Sequence, residues 1–345
     1  MRHRPLGRSG LQVSSMALGT MMFGAWANRD RADCIRIIHA ALDAGINLVD
    51  TADVYSNGEA EEIVGEALAG RRDDVLVATK LHAPMGDDVN RRGGSRRWII
   101  RACEESLRRL RTDWIDIYQL HRPDPGCDLD ETLSALSDLV HQGKVRLIGS
   151  STFQAEEIVE ALWMSDARGH VRLRSEQAPY SLLTRGAETA VLPTCARHGM
   201  GVITYAPLGG GWLSGRYRRG EALQASPRTA TFLAQFDPAL PHNARKLDAI
   251  EQLAGIADAR GISLMHLSLA FAASHPAVSS MILGPRTLEQ LQGQLPALDV
   301  QLDGAVLDAI DAVIPPGTTV DPRDAGYAIG DSSGMWHLRA IGRAS

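Results

Sequence analysis

The sequence predicts an α/β chain in which eight parallel strands close into a (β/α)8 barrel. Three observations carry that expectation. Strand-like and helix-like runs alternate eight times along the 345 residues, the loops between most of them are short, and no Ser/Gly-rich linker or charge block divides the chain. Residues 1–345 therefore read as one domain. Strands that alternate with helices require parallel neighbours joined by right-handed crossovers. Eight such units close on themselves, whereas an open doubly wound sheet more often holds about five to seven strands.

The elements follow in order. Val13 to Gly19 reads as a strand, and residues 31–44 carry helical apolar spacing (Ile35, Ile38, Ala41, Leu42) that stops at Gly45. A strand over Ile46–Thr51 and a helix over Ala60–Ala69 come next, then Val75–Lys80 and Arg97–Leu110. The alternation continues with Ile115–Leu120, Asp130–His141, Val145–Ser150 and Ala155–Arg168. Leu173–Gln177, Glu188–His198, Val202–Tyr205, Ala244–Arg260, Ser279–Gly284 and Thr287–Leu295 complete it. Two stretches break the pattern: a long loop over 206–243 after the seventh strand, rich in Gly, Arg and Pro, and a C-terminal extension over 314–345. Loops this long in a compact barrel are usually functional lids or disordered segments.

Composition excludes several classes. A net charge of −5 argues against a nucleic-acid partner or an acidic membrane surface. The one basic run, Arg91 to Arg111, holds eight arginines but also Glu104 and Glu105, with Trp98, Ile99, Ala102, Cys103, Leu107 and Leu110 at helical spacing. It reads as the solvated face of a helix. Cys34, Cys103, Cys127 and Cys195 lie far apart without metal or redox spacing, as expected of reduced thiols in a cytoplasmic protein. No signal core and no run of about 18 apolar residues is present, so no membrane association is expected.

In such a barrel, side chains at the C-terminal strand ends face the active site. The second strand ends at Asp50, with Tyr55 in the loop that follows. Alternation puts Ile46, Leu48 and Asp50 on one face, carrying a carboxylate inward, where it needs a partner. The third strand supplies Lys80 and the fourth ends at His121. Carbonyl reduction requires a proton at oxygen while hydride arrives at carbon. A tyrosine gives up that proton near neutral pH only if a cation stabilises the phenolate. Lys80 is placed to do so, Asp50 to keep the lysine charged, and His121 to orient the carbonyl oxygen or share the proton.

Asp50-Thr51-Ala52-Asp53-Val54-Tyr55 with Gly58, Thr79-Lys80, and Ile117-Tyr118-Gln119-Leu120-His121 resemble the catalytic tetrad segments of the aldo-keto reductase superfamily. The resemblance runs from about residue 1 to about residue 313, and residues 1–13 are similar to the family's N-terminal β-hairpin. It implies an NADPH-dependent oxidoreductase (NADP+ in reverse) with Tyr55 as general acid, supported by Asp50, Lys80 and His121. Carried over residue by residue, it implies cofactor contacts along Gly19, Thr20, Met21 and Asp50. Ser151, Thr152 (where the family usually has Asn) and Gln177 correspond to contacts on the nicotinamide carboxamide. Tyr205-Ala206-Pro207-Leu208 resembles the family's segment whose tyrosine gives a stacking floor, and the loop running on through Gly210 and Arg216 corresponds to the segment that covers the pyrophosphate. Gly284, Arg286, Thr287, Gln290 and Gln294 correspond to the adenosine end, with Arg286 and a helix start on the 2′-phosphate. Neither the Gly-x-Gly-x-x-Gly of Rossmann enzymes nor the Tyr-x-x-x-Lys of short-chain dehydrogenases occurs.

The substrate rim is expected to include Met21, Phe23, Trp26, Tyr55, His82 and His121, a lining suited to small aryl or medium-chain carbonyl compounds. Two other readings stand beside this one. Potassium-channel β subunits resemble the same superfamily, bind NADPH and act mainly as partners of a channel. A metal-dependent hydrolase would use His82 and His121 as ligands, but a cation beside Lys80 is disfavoured, and no metal is expected.

Overall fold

The computed structural model describes residues 1–219, 237 and 240–326. Parts of the long loop and of the C-terminal extension, including Tyr327, Trp336 and Arg339, lie outside the described residues.

Strands β1 (His3–Pro5) and β2 (Gln12–Ser14) form the expected antiparallel hairpin. Eight further strands close a barrel: β3 (Met16–Gly19), β4 (Leu48–Asp50), β5 (Leu76–Leu81), β6 (Ile115–Leu120), β7 (Val145–Ser151), β8 (Ser175–Pro179), β9 (Gly201–Tyr205) and β10 (Val278–Leu283). They pair in parallel in chain order, with β10 closing onto β3, which is the topology of a TIM barrel. The helices that return the chain are α1 (Arg31–Asp43), α2 (Glu59–Ala67), α3 (Arg96–Leu110), α4 (Leu129–His141), α5 (Ala155–Arg168), α6 (Val191–His198), α7 (Pro241–Ala259), α8 (Leu264–Ser274), α9 (Leu288–Gln294) and α10 (Gly304–Val313).

Alternation along the strands divides the core in two. Ala17, Leu48, Ala78, Ile117, Ile203 and Ile282 fill the barrel interior, and Leu6 and Val13 of the hairpin seal its lower end. A larger cluster packs the outer strand faces against the helices. Gly7 has a left-handed φ of +54°, and a side chain there would collide with the backbone of Gly199 and Gly201. The hairpin can plug the barrel only because that residue is glycine.

Three expectations need correction. Val13–Gly19 is not one strand: the chain breaks at Ser15, whose N–H donates to Arg2, so the hairpin ends before the barrel begins. Ile46 precedes β4 and packs in the outer cluster, so it does not share the inward face of Leu48 and Asp50. Helix α8 has no counterpart in the sequence reading. Eight of its eleven residues are buried, so it shows no polar face and no amphipathic period.

Most of the basic run folds as α3, whose Glu105 pairs with Arg101 and with Arg91 ahead of the helix, while Arg109 pairs with the buried Glu61. Among the described residues no helix is long and apolar enough to cross a membrane.

Glu176 on β8 is fully buried, accepting from the Ser150 hydroxyl at 2.5 Å and the Phe153 N–H at 3.1 Å. Burial nevertheless pushes its carboxyl up to about 8. The folded chain then holds a proton that the unfolded chain releases above about pH 4.3. Stability is therefore expected to fall as pH rises from about 4.5 to about 8, and to level off beyond. Glu176→Gln mimics the protonated acid and should remove this part of the slope. Melting curves from about pH 5 to about pH 9 check it: the variant should gain on the wild type with rising pH, and parallel curves would contradict it.

Candidate active site

Asp50, Tyr55, Lys80 and His121 meet at the C-terminal mouth of the barrel. Lys80 is fully buried, and its Nζ donates to Asp50 Oδ1 at 2.6 Å, to the Thr51 carbonyl at 2.7 Å and to the Tyr55 hydroxyl at 3.4 Å. All three ammonium donors are thus committed. The second Asp50 oxygen accepts from Gln177 Nε2 at 2.7 Å. The His121 ring stands edge-on to Tyr55 with centroids 6.0 Å apart, and Trp26 tilts against Tyr55 at 6.0 Å.

The electrostatics follow from burial and from this packing. Burial alone would lower Lys80, but the Asp50 carboxylate and the Tyr55 hydroxyl outweigh it, and the ammonium ends above its ordinary value. Burial raises the Tyr55 phenol and Lys80 pulls it down, with burial prevailing. Lys80 therefore does not ionise Tyr55 in the resting chain; the proton stays on the phenol. His121 falls well below the ordinary imidazole value, through burial first and then the charges of Lys80 and Arg122. Its ring is neutral at physiological pH, which favours orienting an oxygen over sharing the proton.

Local backbone explains why these side chains converge. Positive φ occurs at Ser56 and Asn57 after β4, His82 after β5, Thr152 after β7 and Ala206 after β9. Among the described non-glycine residues with positive φ, only Arg111, at the end of α3, lies away from the mouth. Strained conformations of this kind gather where surrounding structure over-determines them.

Residues 15–315 match the model of the Aldo/keto reductase family. The chain belongs to that family. Similar proteins include a probable voltage-gated potassium channel subunit beta of Arabidopsis thaliana, 36% identical over 91% of this chain and 97% of the relative. Two proteins of Bacillus subtilis (strain 168) are also similar: the uncharacterized oxidoreductase YrpG at 35% identity (91% and 96% covered) and the aldo-keto reductase YhdN at 34% (90% and 91%). Family membership makes the chain an oxidoreductase by kinship, in a family that generally uses NAD(P)H.

The remaining site residues that the aldo-keto reductase likeness singled out fall into three groups. The first supports the mouth from behind. Thr20 is fully buried, with its hydroxyl and N–H both on the Asp50 carbonyl, and a side chain at Gly19 would strike Ile282. Ser151 donates to the Gln177 carbonyl at 3.0 Å. The second group follows the C-terminal ends of β9 and β10 in the chain. Tyr205 is half-buried, Ala206 exposed and Pro207 buried, with Leu208 and Gly210 half-buried and Arg216 exposed. Gly284 is exposed and Gln294 buried. Thr287 Oγ1 accepts from the Gln290 N–H, and Gln290 Oε1 accepts from the Arg286 N–H. The Thr287 hydroxyl thus satisfies one backbone N–H, that of Gln290, in the first turn of the seven-residue α9.

The third group is the rim. Met21 and Trp26 are exposed and His82 half-buried, but Phe23 is fully buried in the outer core and does not line the mouth. Its chain turns inward ahead of the 3-10 turn at Gly24–Trp26, where Ser56 Oγ donates to the Phe23 carbonyl at 2.7 Å.

Sequence reasoning missed several features of the site. Arg122, next to His121, donates to the Thr152 hydroxyl. Asp53 is buried with neither oxygen partnered among the described residues, and burial beside Glu61 raises its carboxyl well above the usual range. The extension also reaches the mouth: residues 318–320 pair with 183–185, and a side chain at Gly326 would collide with the Tyr205 hydroxyl. Lys246 of α7, ion-paired to Asp321 at 3.1 Å and to Asp324 at 2.5 Å, holds that strap down. Only Arg122 carried a sequence signal, its adjacency to His121.

Proposed function

We propose that this chain reduces aldehydes or ketones to alcohols with NADPH. The observation that carries the reading is the buried line from Asp50 through Lys80 to the Tyr55 hydroxyl, open toward His121. The residues present fit the cofactor. Polar atoms without partners among the described residues, His121 Nδ1 and Gln119 Nε2 near the mouth and Gln294 Oε1 on α9, suit a polar guest lying across it. Ser151, Thr152 and Gln177 would hold the carboxamide and Tyr205 would provide the floor. Ala206, Pro207, Leu208, Gly210 and Arg216 would cover the pyrophosphate. Gly284, Arg286, Thr287, Gln290 and Gln294 would take the adenosine end, with the Arg286 fork on a 2′-phosphate.

When bound, the reduced nicotinamide supplies the hydride. His121, neutral, orients the carbonyl oxygen by a hydrogen bond. Tyr55 keeps its proton until that oxygen gains negative charge and then donates it. Lys80, 3.4 Å from the phenol oxygen, stabilises the phenolate left behind. Asp50 keeps Lys80 charged and, through Gln177, tied to β8. The same reading places the whole site in one domain and the protein in the cytoplasm.

The test is loss of 340 nm absorbance with NADPH over a panel of carbonyl compounds, together with direct binding of NADPH and NADH to the wild type and to Arg286→Ala. Turnover supports the reading. Arg286→Ala is expected to weaken NADPH binding about tenfold and NADH binding little, as a lost guanidinium–phosphate pair predicts. The similarity to potassium-channel subunits favours a second reading, a nucleotide-binding barrel that serves a channel. Tight NADPH binding without turnover of any carbonyl would favour it.

A further inference from the structure

We propose that Arg122 recognises a carboxylate on the carbonyl substrate, so that oxo acids and carboxylated aldehydes are the preferred class. The inference rests on the carbonyl-reducing reading above. Arg122 is half-buried directly after His121 at the end of β6, and donates from Nη1 to the Thr152 hydroxyl. No carboxylate among the described residues pairs with it. Asp124, two residues on, is turned elsewhere: it accepts from the Gly94 N–H at 2.7 Å, the Gly126 N–H at 3.0 Å and the Cys127 thiol at 3.1 Å, and lies 4.0 Å from His82. Asp50 is committed to Lys80 and Gln177. Beside the reacting groups, Lys80 is thus a balanced cation, whereas Arg122 has no carboxylate partner among the described residues.

Arg122, directly after His121, is tied to the mouth by its bond to Thr152, whose hydroxyl lies 3.4 Å from that of Tyr205. Its charge contributes to the low basicity of both His82 and His121, which sets it among the groups around the reacting carbonyl. Thr152, held at a φ of +59° that a β-branched residue rarely adopts, pins Nη1 through a single neutral hydroxyl. The donors that remain suit the two oxygens of a carboxylate, a fork geometry particular to arginine. Trp26, 49% exposed across Tyr55 from His121, gives an apolar wall for the body of the same molecule.

The experiment compares 4-formylbenzoate with its neutral methyl ester, using wild type, Arg122→Met and Arg122→Lys. The wild type should prefer the acid in kcat/KM, through a lower KM. Arg122→Met should reduce the acid-to-ester preference about tenfold or more, the expected loss of a charge-assisted pair, and Arg122→Lys should retain part of it. NADPH affinity, read by nucleotide fluorescence, should stay within about twofold. Benzoate binding to the NADPH-loaded protein, measured against benzamide, reads the same pocket without turnover and should be lost in Arg122→Met. No preference for the acid or for benzoate, an equal loss for both esters and acids, or a fall in NADPH affinity that marks Arg122 as a carboxamide contact would each overturn the proposal. Wild type that binds NADPH and benzoate selectively yet turns over neither aldehyde would instead fail the reductase reading while upholding the anion site.

Discussion

Tyr55→Phe is expected to lower kcat/KM for carbonyl reduction by about 10³-fold, within the range of about 10²–10⁴ that a positioned general acid supplies. The phenyl ring keeps the packing against Trp26 and His121 and removes only the oxygen that Lys80 reaches at 3.4 Å. That is the longest of the three Lys80 bonds, so the cost to folding should be about 1 kcal/mol or less. Steady-state kinetics with NADPH, alongside nucleotide binding and melting temperature, separate the two effects. In the wild type, His121 lies well below the ordinary imidazole value, so its own titration should not shape kcat/KM between about pH 6 and 7. A Tyr55→Phe variant that retained most of its turnover would move the proton source elsewhere.

Lys80→Met should damage both stability and catalysis. Lys80 is fully buried and Asp50 is 2% exposed, so removing the ammonium strands a carboxylate inside the barrel with Gln177 as its remaining side-chain partner. Breaking one side of a buried pair typically costs about 3–5 kcal/mol. Denaturant unfolding should therefore show a lowered midpoint with an unchanged slope. The double variant Lys80→Met with Asp50→Asn removes the stranded charge and should recover much of the stability while remaining catalytically poor. If the double variant were as unstable as the single one, lost packing around the lysine stem, not the stranded carboxylate, would be the cause. If Lys80→Met kept its activity, the cation would have no role in stabilising the phenolate.

Much of this was legible in the chain itself. Position at the ends of strand-like runs singled out Asp50, Lys80 and His121, because a strand end at a barrel mouth is where an inward polar side chain is tolerated. Alternating strand and helix patterns also set the barrel, because those periods reflect which faces must leave water. Helix α8 escaped because burial on every side erases the period that marks a helix.

What only the tertiary structure decided concerns partners distant in sequence. The bond from Gln177 to Asp50 joins residues 127 positions apart, and the burial of Phe23 depends on elements that the local sequence does not contain. The same holds for the balance at Tyr55, where burial outweighs Lys80 and keeps the proton in place, and for Arg122, whose lack of a carboxylate partner among the described residues emerges only once Asp124 is seen turned toward Gly94 and Gly126. Residue order specifies which faces are buried. Charge state and unmet hydrogen-bonding capacity depend on the full set of neighbours, and chain closure into the barrel supplies those.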